Sequence, residues 1–489
     1  MGNSPKNEFT EEEKLTLGEG SQAIAKAEKI VNLPSTDQAN AELFCLLYGE
    51  KFRYLDEEKA WVCFDGLRWQ TAWKGDGGAW GKASNQARSC LIRALKLKLE
   101  LFDRFEQGKI RFQPERYKIL QDQNFPKVKA ALEMAASSDG MSFSVTQFDR
   151  DPFLLGCQNT IIDLKTGMPV SQAQLNNNLV LKSNNLIYDP QTKAPIWEET
   201  LKGIFEDDKE TISFIKRLFG YTVTGLVREE KLFILLGKGG TGKSTILKIL
   251  GLLLGDYYAA TPANIFYDSK WDRTPWYLYN LCGKRVSVTA EMKPEKKIDD
   301  PFVKKITGGD ILDGECKFKM PIKYNATAKV FWLLNEMVRL NIFDEAIIQR
   351  LCVIPFKVCF REDRKRVNLD LKEIILPGEI SGILNWALEG ALEYQEKGLE
   401  MPTCVEKATQ EVIELCNPVA SFIKAKLIHK PDVRVTFQNI WGAFGMFKMQ
   451  AGIQTSITEN SFSREMARLG HGSIEIGGKT YFEGVELKP

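Results

Sequence analysis

The sequence holds only two histidines in 489 residues, His429 and His471. Histidine-based metal sites and catalytic triads are thereby excluded from everything before residue 429. An excess of one charge is missing as well. The 66 basic and 64 acidic residues leave +2, so bulk charge indicates neither a nucleic acid nor an acidic surface as partner. Long apolar runs are absent: none approaches the roughly 20 residues that span a bilayer, and the polar, acidic opening MGNSPKNEFTEEEKLTLGEG has no secretory pattern. Ten cysteines contain no C-x-x-C pair and no zinc-like spacing. The expectation is a cytoplasmic chain with reduced thiols and no membrane partner, in which the sequon Asn325-Ala326-Thr327 is a chance match.

At about 100–200 residues per domain the length accommodates two to four domains. Residues 1–50 carry four basic and nine acidic residues, a net of −5, and open without apolar periodicity, so 1–22 reads as a mobile acidic tail. Residues 23–195 read as a mixed α+β domain. Within it, FRYLDEEKAWVCFDGLRWQTAW places aromatics around a tight turn at Asp65-Gly66, and DPFLLGCQNTIIDLKTG reads as a second hairpin-like unit. Between Arg88 and Lys129, eleven basic and five acidic residues give +6 on segments with helical spacing. That surface is either a solvated helix face or a guide for a nucleic-acid backbone. From 196 to 365, KLFILL, KRVSVTA and KVFWLL are short, nearly continuous apolar runs alternating with helical stretches, as expected of buried strands in an α/β sheet. Residues 366–489 read as mainly helical, ending in a hairpin through Gly477-Gly478.

The strongest signal is Gly237-Lys238-Gly239-Gly240-Thr241-Gly242-Lys243-Ser244, a complete G-x-x-x-x-G-K-[ST] loop between an incoming strand and a helix that opens Lys243-Ser244-Thr245. Its glycines let main-chain N–H groups face a phosphate, Lys243 bridges β- and γ-phosphates, and Ser244 ligates Mg²⁺. ATP and Mg²⁺ are therefore the expected ligands. The run RVSVTA ends in Glu291, across the sheet edge from Lys243, where a carboxylate can activate a water. Glu291 is the expected general base and, with Ser244, the expected metal-site residue, although Ala290 stands where a second acid would help. KVFWLL ends in Asn335, expected as a buried polar group that orients the attacking water. In FDEAIIQRLCVIPF, Arg350 is the candidate arginine finger acting across a subunit boundary; the alternative is an ion pair with Asp344 or Glu345. Between these, FVKKITGGDILDGECKFKMPIKYNATAK reads as a hairpin carrying Lys317, Lys319 and Lys323 toward phosphates, or as a plain surface hairpin.

Taken together, GKGGTGKST, VSVTAEM, VKKITGGD, VFWLLNEMV and FDEAIIQRLCVIPF resemble the motifs of superfamily 3 helicases, specifically the phage, plasmid and poxvirus primase-helicase NTPases. WVCFDGLRWQ and LLGCQNTIIDLKTG are similar to the N-terminal helicase-associated domain of that family, and NWALEGALEYQEKGLEMP to its C-terminal region. The resemblance implies an AAA+-like phosphate-loop ATPase core that assembles as a hexameric ring, translocates 3′ to 5′ on single-stranded and forked DNA, and works beside a separate primase or polymerase in the host-cell cytoplasm. It carries Lys243, Ser244, Glu291, Asn335 and Arg350 into the site and Lys317 or Lys319 onto the DNA. One departure is Gln349-Arg350 where the family often has two arginines. Lacking a histidine before residue 429, the chain is expected to make no primers. In the last segment, helix, helix and hairpin suggest a winged helix with Arg464, Arg468 and Lys479 as possible DNA contacts, although a protein-contact role fits as well. The competing functions are an AAA+ loader or origin-binding ATPase that assembles without unwinding, and a small-molecule kinase.

Overall fold

The computed structural model describes residues 10–70, 82–106, 112–175, 178–268, 275–290, 292, 298–335, 345–360, 371, 373, 376–451 and 457–488. They form a mixed α/β protein in two compact units, one drawn from 1–163, 168–187 and 313–323, the other from 164–167, 188–312 and 324–489.

In the first unit the expected tail is partly helical. Glu11–Leu17 is a helix whose Thr10 and Glu13 cap each other reciprocally. Leu17 is buried, Glu13 pairs with Arg104 at 2.9 Å, and a second helix follows at Gly20–Asn32. Charge and missing periodicity concealed this, because a seven-residue helix held by one cap and one buried leucine has too few turns to show a period. Helices Asp37–Tyr48, Lys82–Glu106 and Phe125–Ala136 enclose the core with Phe44, Leu91, Leu95 and Leu132. Against them lies a sheet ordered Trp69–Gln70, Ala60–Phe64, Phe52–Leu55, Ser142–Phe143. Its first turn is at the expected place: the Asp65 carboxylate accepts the Leu67 and Arg68 N–H groups at 2.9 and 2.8 Å, and Gly66 takes φ 98°. The second expected unit forms from Leu154–Gly156, Ile161–Asp163 and Met168–Pro169, all antiparallel. Half of the +6 excess is met within the unit, since Arg104, Lys127 and Lys129 face Glu13, Asp37 and Glu133, which lie outside the segment, while Arg116 and Lys118 face its own Asp103 and Glu115. Lys98 is buried and donates to the Pro34 carbonyl at 3.2 Å.

The second unit is organised by a parallel sheet in the order Leu351–Pro355, Leu232–Leu236, Lys329–Leu334, Val286–Thr289, Tyr258–Ala260. Its central strands are buried on both faces, which explains their unbroken apolar runs. Helices Lys209–Val223 and Ile380–Lys397 cross at glycines: a Cβ on Gly220 would lie 2.1 Å from the Gly390 carbonyl carbon, and one on Gly390 would lie 2.1 Å from the Lys216 carbonyl oxygen. Two buried cations close the C-terminal end of the first of these helices. Arg285 donates to the Val223 carbonyl and lies 4.2 Å from the Tyr257 ring centre; Lys329 donates to the Thr224 carbonyl and lies 5.1 Å from that of Tyr221. Cations at a helix C-terminus offset its negative pole. Burial, and Arg285 beside it, hold the Lys329 ammonium well below the usual lysine range.

Toward the C-terminus come helix Pro418–Lys426, strand Leu427–Thr436, helices Phe437–Gln450 and Glu459–Arg468, and strands Ser473–Ile476 and Lys479–Leu487. The three strands form one sheet with Lys479–Leu487 in the middle, and Phe422, Phe444, Phe462 and Phe482 fill the space beneath. Gly477 and Gly478, at φ 59° and 75°, make the two-residue turn that needs positive φ at both positions. Among the described residues no helix is long and apolar enough to cross a membrane.

Candidate nucleotide and nucleic-acid sites

The glycine loop leaves the C-terminal end of strand Leu232–Leu236 and enters helix Lys243–Leu254. Gly240 and Gly242 have φ 85° and 93°, backbone that a side chain would strain, and a Cβ on Gly242 would sit 2.8 Å from Ile204 Cδ1. Lys243 is 4% exposed. Its ammonium donates to the carbonyls of Gly237 and Lys238 and to the Thr241 hydroxyl, which in turn donates to Lys238 O at 3.0 Å. Desolvation lowers the Lys243 pKa. Ser244 is exposed at the helix start and Thr245 follows, its N–H bonded to Gly242 O at 3.0 Å. Glycines at positive φ, a buried ammonium held by main-chain carbonyls and an exposed hydroxyl at a twelve-residue helix start together fit a polyphosphate with its divalent cation.

Asn335 is brought to this edge. Leu334 pairs with Leu236, and the Gly237 N–H donates to Leu334 O at 3.2 Å, so Asn335 follows directly beside the loop. It was expected to be buried and is exposed, because the strand ends one residue earlier. The expected base Glu291 lies outside the described residues; Thr289, which ends its strand, pairs with Trp332 on the Asn335 strand.

Arg350 is elsewhere. It precedes strand Leu351–Pro355 and its carbonyl accepts the Leu232 N–H at 2.7 Å, which puts it at the opposite edge of the sheet from the loop. Five strand residues at about 3.3 Å each separate the two by about 17 Å. Its guanidinium pairs with Glu230 and donates to Ala346 O at 2.8 Å; the expected partners, Asp344 and the Glu345 side chain, lie outside the described residues.

One set of loop neighbours had no signal in the sequence. Past strand Leu351–Pro355, the Phe356 N–H donates to Leu236 O at 2.7 Å, Phe360 N–H to Gly240 O at 3.0 Å, and Cys359 Sγ approaches Gly239 O at 3.6 Å. This segment grips the loop from more than a hundred residues away mainly through main-chain atoms, which leave no mark on residue choice.

Strands Ile311–Gly314 and Ile322–Asn325 form the expected hairpin. Lys317 is exposed, Lys319 pairs with Glu58, and Lys323, 79% exposed, is 3.8 Å from Asp313. At the C-terminal end Arg464 and Lys479 are exposed, while Arg468 is engaged by Glu465 at 2.6 Å.

Two family models match in tandem: "D5 N terminal like" over residues 41–206 and a family of unknown function, DUF5906, over 235–350. This tandem of matches is the order found in the D5-like primase-helicase architecture, which the chain resembles. Within this architecture the second match begins at Leu235 and ends at Arg350, spanning the loop, Glu291, the hairpin and Asn335. The chain is 25% identical over 308 residues to the candidate helicase L207/L206 of Acanthamoeba polyphaga mimivirus, covering 58% of this chain and 32% of that protein. It is also 25% identical over 227 residues to the candidate helicase V13 of Sputnik virophage, covering 43% of this chain and 29% of that protein. The matched stretches thus span about a third of each relative's length. Among solved structures, the apo NrS-1 C terminal region (305-718) aligns with 91% of this chain and 99% of its own at 11% identity and a TM-score of 0.42. Its A form aligns with 63% and 80% at 14% identity and a TM-score of 0.37.

Proposed function

We propose that this chain is the ATP-driven DNA helicase motor of a viral or mobile-element replication system, acting as a hexameric ring that moves 3′ to 5′ on single-stranded and forked DNA. The carrying observation is the assembly, at one edge of a parallel sheet, of a loop whose glycines take positive φ, a buried lysine, a helix start and the adjacent Asn335. The sheet, with its flanking helices, is read as the AAA+-like core, and the C-terminal helices and hairpin as a winged helix.

On this reading the loop N–H groups and Lys243 bind the ATP phosphates, the ammonium exchanging the Gly237 and Lys238 carbonyls for phosphate oxygens. Ser244 and Glu291 would hold Mg²⁺, which would supply charge neutralisation on the phosphates. Glu291 takes a proton from the attacking water and Asn335 orients it by hydrogen bonding. Arg350 faces away from its own loop, so a finger role is available to it only toward a neighbouring subunit, after release from Glu230. Lys317, Lys319 and Lys323 contact DNA phosphates, and Arg464, Arg468 and Lys479 form a secondary surface for DNA or for a primase or polymerase.

The test is DNA-stimulated ATP hydrolysis together with strand separation on a fork carrying a 3′ tail. Lys243→Ala and Glu291→Gln should abolish both, and mixing Arg350→Ala with Lys243→Ala subunits should restore part of the turnover. Assembled oligomers that hydrolyse ATP on DNA without separating strands would replace the helicase with a loader.

A further inference from the structure

The hairpin tip carries a residue that its own backbone disfavours. Lys319 N–H donates to Cys316 O at 3.1 Å, closing a four-residue turn with Phe318 in its third position at φ 65°. A turn with positive φ at that position is ordinarily served by glycine, because a Cβ there crowds the following carbonyl. A phenylalanine therefore strains the turn, and no packing compensates: the side chain is 95% exposed, the highest value among the exposed large hydrophobics of the described residues. The next residue but one, Met320, is 53% exposed, and Lys317 and Lys323 are exposed on either side. From Cys316 to Tyr324 the tip holds three lysines and no acidic residue.

An exposed aromatic in a strained position, flanked by cations, is a pattern that folding does not explain and that binding does. A protein partner would be met by an apolar patch with a polar rim; here a single ring stands between the exposed Lys317 and Lys323, the latter 3.8 Å from Asp313, with Lys319 paired to Glu58. That combination matches a polyanion whose repeating unit also offers a flat π-face. We infer that Phe318 is a base-stacking residue for single-stranded nucleic acid, its ring lying on an unpaired base while Lys317 and Lys323 meet the adjoining phosphates. The inference rests on the helicase reading and adds to it a contact that charge alone does not supply: the tip grips bases irrespective of sequence, since every base has a π-face.

The experiment measures binding of a fluorescent single-stranded oligonucleotide to the full chain by anisotropy over a salt series, alongside an oligonucleotide of equal length with abasic sites. Phe318→Ala should weaken binding to the normal oligonucleotide about 5- to 150-fold, the range of one stacked base, and Phe318→Trp should retain it. The abasic oligonucleotide should bind the natural chain as weakly as the normal one binds Phe318→Ala. The salt slope should be unchanged in Phe318→Ala and about one unit shallower in Lys317→Ala. Phe318→Gly should bind weakly yet melt at a higher temperature, so that lost binding is separated from lost folding. Equal affinity of Phe318→Ala and the natural chain overturns the stacking role and leaves the helicase reading standing. A Phe318→Ala chain that fails to oligomerise but binds normally per subunit overturns it in favour of a protein contact. No binding of either oligonucleotide by the natural chain overturns both readings.

Discussion

Gly237→Ala provides a sharp test of how the loop is positioned. A Cβ at this glycine would lie 2.2 Å from the Phe356 carbonyl oxygen and 3.1 Å from its carbon. The clash is with main chain that cannot rotate away, because the Phe356 N–H is bonded to Leu236 O at 2.7 Å. Relief requires the loop and the neighbouring segment to separate by about 1 Å, and overpacking of this kind costs about 1–3 kcal/mol. For a unit of this size that is a fall in Tm of about 2–5 °C. The same displacement moves the phosphate-facing N–H groups, and a 1 Å misplacement costs about a hundredfold in turnover. Thermal unfolding and fluorescent-nucleotide binding read the two effects. Adding Phe356→Ala should not rescue, since the obstructing oxygen is main chain. Gly442→Ala serves as the opposite control: nothing lies within 4 Å of its Cβ, and inside helix Phe437–Gln450 alanine should stabilise by about 1 kcal/mol. A Gly237→Ala chain that melts and binds nucleotide like the natural one would refute the close-approach argument.

Gly390→Ala should lower stability despite the better helix propensity of alanine, because its Cβ would meet the Lys216 carbonyl oxygen at 2.1 Å; a rise in the urea midpoint would contradict the helix crossing. Lys329 has its pKa lowered on folding, so between that value and 10.5 the unfolded chain binds the extra proton and stability rises with pH. Lys329→Met should lack that rise, and parallel stability–pH curves would show that the ammonium is not buried. The Cys352 thiol is pushed up to about 12 by burial, against 9.0 when exposed. Its contribution is therefore complete below 9.0 and lost as pH climbs toward 12; Cys352→Val should unfold at higher pH than the natural chain, and ready labelling of native Cys352 by a thiol reagent at pH 8 would refute its burial.

Composition, periodicity and motif spacing carried much of the architecture. KLFILL, KRVSVTA and KVFWLL become strands because an uninterrupted apolar run is stable only where both faces are covered, and the tight turns announce themselves through Asp65-Gly66 and Gly477-Gly478, whose backbone demands those residue types. The phosphate loop is readable for the same reason: positive φ at Gly240 and Gly242 restricts the alphabet locally. Three features were not readable, each depending on partners remote in the chain. Arg350 turns to Glu230, far off in the chain, the Phe356–Phe360 segment holds the loop mainly through main-chain bonds, and Asn335 is exposed by where its strand ends. The short helix Glu11–Leu17 escaped because one cap and one buried leucine outweigh an acidic composition. The sequence by itself thus determined the loop, the strands and the residue types available for chemistry, all consequences of local backbone and burial constraints. Only the tertiary structure decided which side chains share an edge of the sheet and that Phe318 stands 95% exposed, because proximity and exposure are set by contacts that no local pattern encodes.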